Sequence, residues 1–489
     1  MKLLRSIHAI LGTLLCVLMA MWFLSGFVMI YHSYPRVTKL DQLESQLPIL
    51  GKLPPAEEMQ AGFSSNQFIQ SLSLEMQLDK AVFHIRDKES SSTVWADGLK
   101  SVPDVNDQFL DKIAMQWNTS PIVRVDTLYE VDQWTLPKKS ARIFPLYKYY
   151  FDDSDKSQLY ISSTSARVYQ YTTRSERIWA WLGAIPHWVY FTSLRENQPL
   201  WIEFVKWTSG ISCIMLALGM VLGVRIFRKS RTRSYKSPYR KRWYNWHYLS
   251  GLIFGLISIS FAFSGLMSLI DLPDWLKKKP SVEAVKISRK PTELDLSKYI
   301  LDYRTLIDSI PKIKSIEWAV SYDRPYYRVM QDDKTHLIDA TVSEYIQPMQ
   351  LTTADIKKDI TLMHGTANYE LALIEEHDDY YFNKNKERVP LPVFRVIIHD
   401  DLNTHYYYNP KTLSRSRYDD NTRLKRLLYN GLHSLNFKFL ADRPILWNIL
   451  MYFLMIGGSL LSITGVVLSF KWVCRKSKKQ ILKIKTKQG

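Results

Sequence analysis

Polar and apolar positions divide this chain into long blocks. Four runs are almost wholly apolar: 6–31 (SIHAILGTLLCVLMAMWFLSGFVMIY), 207–227 (WTSGISCIMLALGMVLGVRIF), 246–270 (WHYLSGLIFGLISISFAFSGLMSLI) and 446–470 (LWNILMYFLMIGGSLLSITGVVLSF). About 20 apolar residues cross the hydrocarbon core as a helix, so each run predicts a transmembrane helix. The first is longer than a signal-peptide core, and no small-residue cleavage site follows it. It reads as a retained anchor. Between the runs the pattern shifts towards period two, with mixed charges and aromatic strands such as YKYYF (147–151), YYRVM (326–330) and FRVIIHD (394–400). The two segments that carry this pattern, 33–203 and 271–445, each predict one compact α+β domain.

Charge orients these blocks. The net charge is +18, with 65 Lys and Arg against 47 Asp and Glu. All 18 uncompensated positives lie in three stretches without a carboxylate: Lys2 and Arg5, eight residues in 228–242, and eight in 471–489. Basic segments beside apolar spans follow the positive-inside pattern. They predict cytoplasmic termini, a cytoplasmic loop at 228–245 and a cytoplasmic tail at 471–489. A nucleic-acid partner would need a basic face on a folded domain. No expected cytoplasmic segment is long enough to make one. The three cysteines, Cys16, Cys213 and Cys474, lie in or beside the spans. The external segments therefore hold no disulfide, and with no C-x-x-C-H there is no covalent c-type haem. No zinc-ligand spacing, phosphate loop, dinucleotide fingerprint or nucleophile elbow is present either.

The blocks also repeat. His8, Gly12, Ser25 and Gly26 match His247, Gly251, Ser264 and Gly265 at a constant offset of 239. Residues 160–223 align without gaps on 406–469, with 11 identities that include Arg177/Arg423, His187/His433, Trp201/Trp447 and Gly219/Gly465. The chain thus reads as two copies of one unit: span, external domain, span. Internal repeats in membrane proteins place function at the repeat interface.

Four of the eleven histidines fall into two pairs under this repeat. His8 and His247 stand just inside the first and third spans. His187 and His433 precede the second and fourth spans on the external side. A lone histidine at such a depth suits an ordinary snorkelling side chain. Two helices that each offer one imidazole at the same depth suit the axial positions of a b-type haem. Gly12 and Gly251 lie one turn beyond their histidines and would leave room for a flat macrocycle. Gly26 and Gly265 lie five turns on, on the same face, and would do so for a second haem in the outer leaflet. The same glycines also suit small-residue helix packing. Gly219 lies on a span with no assigned ligand and reads as neutral. His32 is the substitute external ligand. His364 and His377 read as substrate-side groups. His84, His336, His399 and His405 read as surface histidines.

As a set, HAILG with a later SG, YISSTSARVYQYTTRSERIWAWLGAIPHWVYF, RWYNWHYLSGLIFGL and YYYNPKTLSRSRYDDNTRLKRLLYNGLHSLNF resemble the PepSY-associated transmembrane proteins, in particular their siderophore-iron reductase branch. The resemblance covers most of the chain. It implies an α-helical membrane protein of the bacterial inner membrane, with four transmembrane helices as a duplicated two-span unit and two α+β PepSY-like periplasmic domains. It implies two haem b groups and the reduction of a ferric siderophore or other ferric chelate in the periplasm, with release of Fe(II). It carries the haem-ligand role to His8 and His247, then to His187 and His433. Some relatives carry a fused flavin reductase domain. This chain has none, so its donor would be a separate cytoplasmic molecule or a quinol.

Three readings follow. The first is a haem-dependent transmembrane ferric-chelate reductase, with aromatic external surface such as LYKYYF (146–151) as a chelate cradle. The second is a non-redox membrane protein whose external domains bind or restrain a periplasmic protease or partner. That role has no need of paired histidines. The third is a transporter, which the lack of a mid-span carboxylate or proline-broken span disfavours.

Overall fold

The computed structural model describes residues 2–488 except 64–68, 88–90, 100–105, 136–143, 164, 231–236, 281–292, 333 and 344. Part of the basic stretch 228–242, residues 231–236, therefore lies outside the described residues.

Four helices carry the apolar runs: Lys2–Met29, Gln198–Ser230, Arg242–Met267 and Pro444–Gln488. Each is long and apolar enough to cross a membrane. Several overshoot the apolar run that predicts them. Lysine and arginine are good helix formers, so helix continues where hydrophobicity stops. The second helix starts earlier because Asn197 Oδ1 accepts from the Leu200 amide at 3.2 Å. Pro199 and Pro444 then occupy first-turn positions, where no amide proton is missed. The first helix packs on the second and fourth, and the third packs on the same two. Phe23, Met215, Ala262, Met451 and Met455 meet at the bundle centre. Close approach depends on glycine there. A Cβ on Gly457 would overlap the Phe254 ring, and one on Gly458 the Phe23 ring.

Outside the bundle lie fourteen strands among the described residues. The first half contributes β1 (Ser71–Gln77), β2 (Lys80–Arg86), β3 (Ser91–Trp95), β4 (Ile122–Leu128), β5 (Leu146–Phe151), β6 (Gln158–Ser162) and β7 (Val168–Thr172). The second contributes β8 (Ser315–Ser321), β9 (Arg324–Met330), β10 (Thr335–Asp339), β11 (Tyr369–Ile374), β12 (Val393–Ile398), β13 (Thr404–Tyr408) and β14 (Arg415–Tyr418). Two four-stranded meanders, β4-β5-β6-β7 and β11-β12-β13-β14, belong to one half each.

The remaining six strands do not respect the division into 33–203 and 271–445. They form one sheet in the order β10-β9-β8-β1-β2-β3. β1 pairs antiparallel with β8, from Leu72 opposite Trp318 to Glu75 opposite Ser315. The reason is edge protection. Each three-stranded meander alone would leave an apolar strand with unpaired backbone groups, and such an edge invites aggregation. Joining them merges Leu74 and Phe83 with Ile316 and Val329 in one core.

β5 contains the stretch LYKYYF. Leu146, Tyr149 and Phe151 are buried in the sheet core rather than presented as a cradle. Of the others, Lys148 pairs with Asp132 at 3.0 Å and Tyr150 donates to Asp126 at 2.9 Å.

Candidate functional site

The bundle brings the histidines together in two places. At the end where the termini lie, the His8 and His247 rings have centroids 6.3 Å apart and planes inclined by 40°. At the end nearest the sheets, His187 and His433 have centroids 5.9 Å apart and planes inclined by 64°. His8 and Ser25, which contacts His187, are 17 residues apart on one helix, about 25 Å along its axis.

All four rings are held through Nδ1. His8 Nδ1 donates to the Met215 carbonyl at 3.0 Å. His187 Nδ1 donates to the Trp22 carbonyl at 3.1 Å, with Ser25 Oγ at 3.2 Å. Carbonyls only accept, so the proton sits on Nδ1. His247 Nδ1 meets Thr464 Oγ1 at 3.1 Å, and that hydroxyl spends its proton on the Leu461 carbonyl at 2.8 Å. His433 Nδ1 meets Ser264 Oγ at 3.0 Å, and Ser264 donates to the Phe261 carbonyl at 3.0 Å. Each hydroxyl therefore accepts from its imidazole. Among the described residues none hydrogen-bonds Nε2 of these four rings. A neutral imidazole with Nδ1–H fixed presents an Nε2 lone pair in a set direction, as metal-ligating histidines do. Outside the spans, burial and the neighbouring His433 push His187 down to about 4, and burial lowers His433. Burial thus favours the neutral form of both rings.

The backbone around the outer pair is unusual in the same way twice. His187 lies on Ala184–Trp188, which Val189 ends at φ 53°; His433 lies on Leu432–Ser434, which Leu435 ends at φ 51°. A left-handed backbone is unfavourable for valine and leucine, so the fold must hold these turns. Tryptophans do part of it. Trp201 Nε1 donates to the Trp188 carbonyl at 2.9 Å, and Trp447 Nε1 donates to the Ser434 carbonyl at 2.9 Å. These indoles were visible in the sequence only as a matched pair. A π-helical turn, Leu427–Gly431, precedes His433.

A glycine stands beside each ring. A Cβ on Gly26 would lie 3.6 Å from His187 Cε1, and one on Gly265 3.9 Å from His433 Cε1. Gly12 and Gly251 line a cavity of about 320 Å³ together with His8 and His247. That is within the size range of small-molecule sites. The reading of Gly219 as neutral is corrected. A Cβ there would lie 2.7 Å from His8 Cε1, so Gly219 seats the ring. Its matched partner Gly465 stands 3.7 Å from His247 Cε1 by the same measure.

The family model of the PepSY-associated TM region matches residues 116–475. The chain belongs to this PepSY-associated transmembrane family. His187, His247 and His433 fall inside the matched region of this PepSY-associated protein, and His8 precedes it. No protein of curated function matches the chain.

The other histidines have other roles. His32 stacks flat on Trp179 at 4.2 Å while His187 faces His433, so geometry gives His32 no place in the outer pair. His364 Nε2 bonds Tyr406 Oη at 2.9 Å and His377 Nε2 bonds the Val389 carbonyl at 2.9 Å. His84 is not a surface residue. It is buried, with Nε2 2.7 Å from Glu75 Oε1 and Nδ1 3.0 Å from Thr93 Oγ1. Burial works against the Glu75 carboxylate, yet His84, Arg167 and Lys39 outweigh it and hold Glu75 well below the ordinary carboxylate range.

Proposed function

We propose that this protein carries electrons across a membrane through two b-type haems and reduces a ferric chelate on the far side. The observation that carries the reading is the pair of facing imidazole couples, each ring anchored at Nδ1 and free at Nε2. His8 with His247, and His187 with His433, would hold the metal of one haem each, and two imidazoles that share one metal at ordinary bond lengths of about 2.0 Å have ring centres about 6 Å apart. The two separations of 6.3 and 5.9 Å lie close to that. Among the described residues no three His, Cys, Asp or Glu side chains converge on one point, so either pair would suit a metal whose other ligands arrive with it. The chain fits haem in this respect, and the Gly12/Gly251 cavity would leave the ring space beside the inner pair.

Bound at these positions, haem would supply one-electron transfer. The chain's own work is orientation and exclusion of water. Met215, Thr464, Trp22 and Ser264 fix the four tautomers. Phe23, Phe261, Met19 and Met455 pack the space between the sites. Each ferric ion that accepts one electron leaves as Fe(II), for which an oxygen-rich chelator has less affinity. The matched contacts of His8 with Gly219 and His247 with Gly465, and of Ser25 with His187 and Ser264 with His433, support a duplicated unit.

Protein purified from haem-replete cells should show the absorption bands of low-spin bis-histidine haem, and its reduced form should be reoxidised by a ferric chelate as Fe(II) appears. A folded, pigment-free preparation would return the chain to the binding-protein alternative.

In this reading the termini face the cytoplasm of a bacterial inner membrane and the sheets face the periplasm. A cysteine at Arg240, in a chain whose native cysteines are replaced, should react with an impermeant maleimide only after the inner membrane is opened. Labelling in spheroplasts with sealed membranes would reverse the orientation.

A further inference from the structure

A second cavity, of about 500 Å³, lies away from the histidine pairs, over the seam of β1 and β8. Its floor is the face of the six-stranded sheet opposite the apolar core. Side chains alternate along β1, so Leu72, Leu74 and Met76 enter the core while Ser73, Glu75 and Gln77 face the cavity. Helix Lys39–Ser45, helix Asp107–Trp117 and Arg167 form its walls. A polar sheet face inside a fold is costly unless its groups find hydrogen-bond or ion-pair partners.

The charges are not balanced. Among the described residues two carboxylates line the cavity, Glu75 and Glu317, against Lys39, Arg86, Arg167 and Arg328. Both carboxylates are already occupied. Glu75 meets His84 at 2.7 Å and Arg167 at 3.4 Å, and Glu317 meets Lys39 at 3.2 Å and Arg328 at 3.0 Å. The surplus is positive, and Arg86 is exposed. Gln46 adds a directional element. Its Nε2 donates to Glu75 Oε2 at 2.9 Å, which fixes Oε1 as the remaining atom. That Oε1 is buried and has no hydrogen-bond partner, and Gln77 Oε1 is in the same state. An occupant should bring anionic oxygens to the guanidinium groups and a hydroxyl or amide donor to these acceptors.

We propose that this cleft binds a small hydroxylated polycarboxylate, either free or wrapped around ferric iron. The site draws on both halves of the chain, since Glu317 and Arg328 come from β8 and β9, so an occupant would also bridge the seam. None of its lining residues belongs to a span or to the helices that carry His187 and His433, and binding does not depend on haem.

Titration calorimetry on the full chain in detergent, with citrate, ferric citrate and tricarballylate as probes, tests this. Citrate or ferric citrate should bind saturably, and the arm that binds more tightly identifies the form. Tricarballylate, which lacks the hydroxyl, should bind less well, and Gln46→Leu should narrow that difference. Arg86→Gln and Arg167→Gln should each weaken binding by about tenfold, the loss of one charge-assisted contact. Arg86→Gln guards against a folding artefact, because Arg167 also supports Glu75. Absence of saturable binding of both citrate forms up to about 10 mM, or affinity unchanged in both arginine variants, would overturn the proposal. Haem content is read on the same samples, so a failure of the electron-transfer reading is seen separately.

Discussion

His8→Ala and His247→Ala should each remove the same haem and leave about half of the wild-type haem per inserted protein, because a bis-histidine site needs both axial ligands. The two rings face each other at 6.3 Å, so loss of either leaves the other without its counterpart. His187→Ala and His433→Ala should remove the other half. The sites are separated by about 25 Å along the first helix, so effects within a pair should coincide and effects between pairs should add. Haem extracted and counted against protein in the membrane fraction gives the answer. Full haem in His8→Ala, or loss of haem in His32→Ala, would contradict the assignment.

Gly219→Leu should empty the inner site almost as completely as His8→Ala. A side chain at this position starts 2.7 Å from His8 Cε1 and 3.2 Å from Nδ1. The ring must shift from the Met215 carbonyl that holds its Nδ1, and its placement beside His247 is lost. Gly12→Leu and Gly251→Leu should lower occupancy by another route, since they project into the 320 Å³ cavity instead of against a ligand. Gly210→Leu is the proper comparison, because nothing lies within 4 Å of a Cβ there. Leucine is favourable within a span, so all four variants should insert. Equal haem in Gly219→Leu and Gly210→Leu would show that the packing of His8 against Gly219 has no bearing on the site.

Much of this arrangement was legible in the sequence for identifiable reasons. Helices of about 20 apolar residues have few alternatives in a chain, and a constant offset of 239 between His8 and His247 with their glycines is hard to produce by hydrophobicity alone. What orients the histidines was far less legible. Met215 and Trp22 act through main-chain carbonyls, which every residue possesses. Ser25 and Ser264 stood in the matched set, yet a serine inside a span more often bonds its own helix. Gly219 was misread because its neighbour is 211 positions away in the chain. Some correspondences escaped because they are chemical. Asp132 accepts from the Trp134 and Thr135 amides, Lys148 and the Tyr160 hydroxyl; Asp378 accepts from the Tyr380 and Tyr381 amides, Arg395 and the Tyr407 hydroxyl. A lysine in one place and an arginine in the other never register as identity.

Pairing of β1 with β8 bears on how the protein is made. Residues Ser71 and Ser315, which begin these strands, are separated by about 240 residues that contain two further spanning helices. At a ribosomal rate of about 5–20 residues per second, β1 waits roughly 12–50 s for its neighbour while those helices enter the bilayer. Throughout that interval its free edge can zip onto any passing strand, including the same strand of another nascent copy. Productive biogenesis therefore requires that the waiting half be shielded or held loosely, and a truncation after the second span would leave it permanently in its most adhesive state.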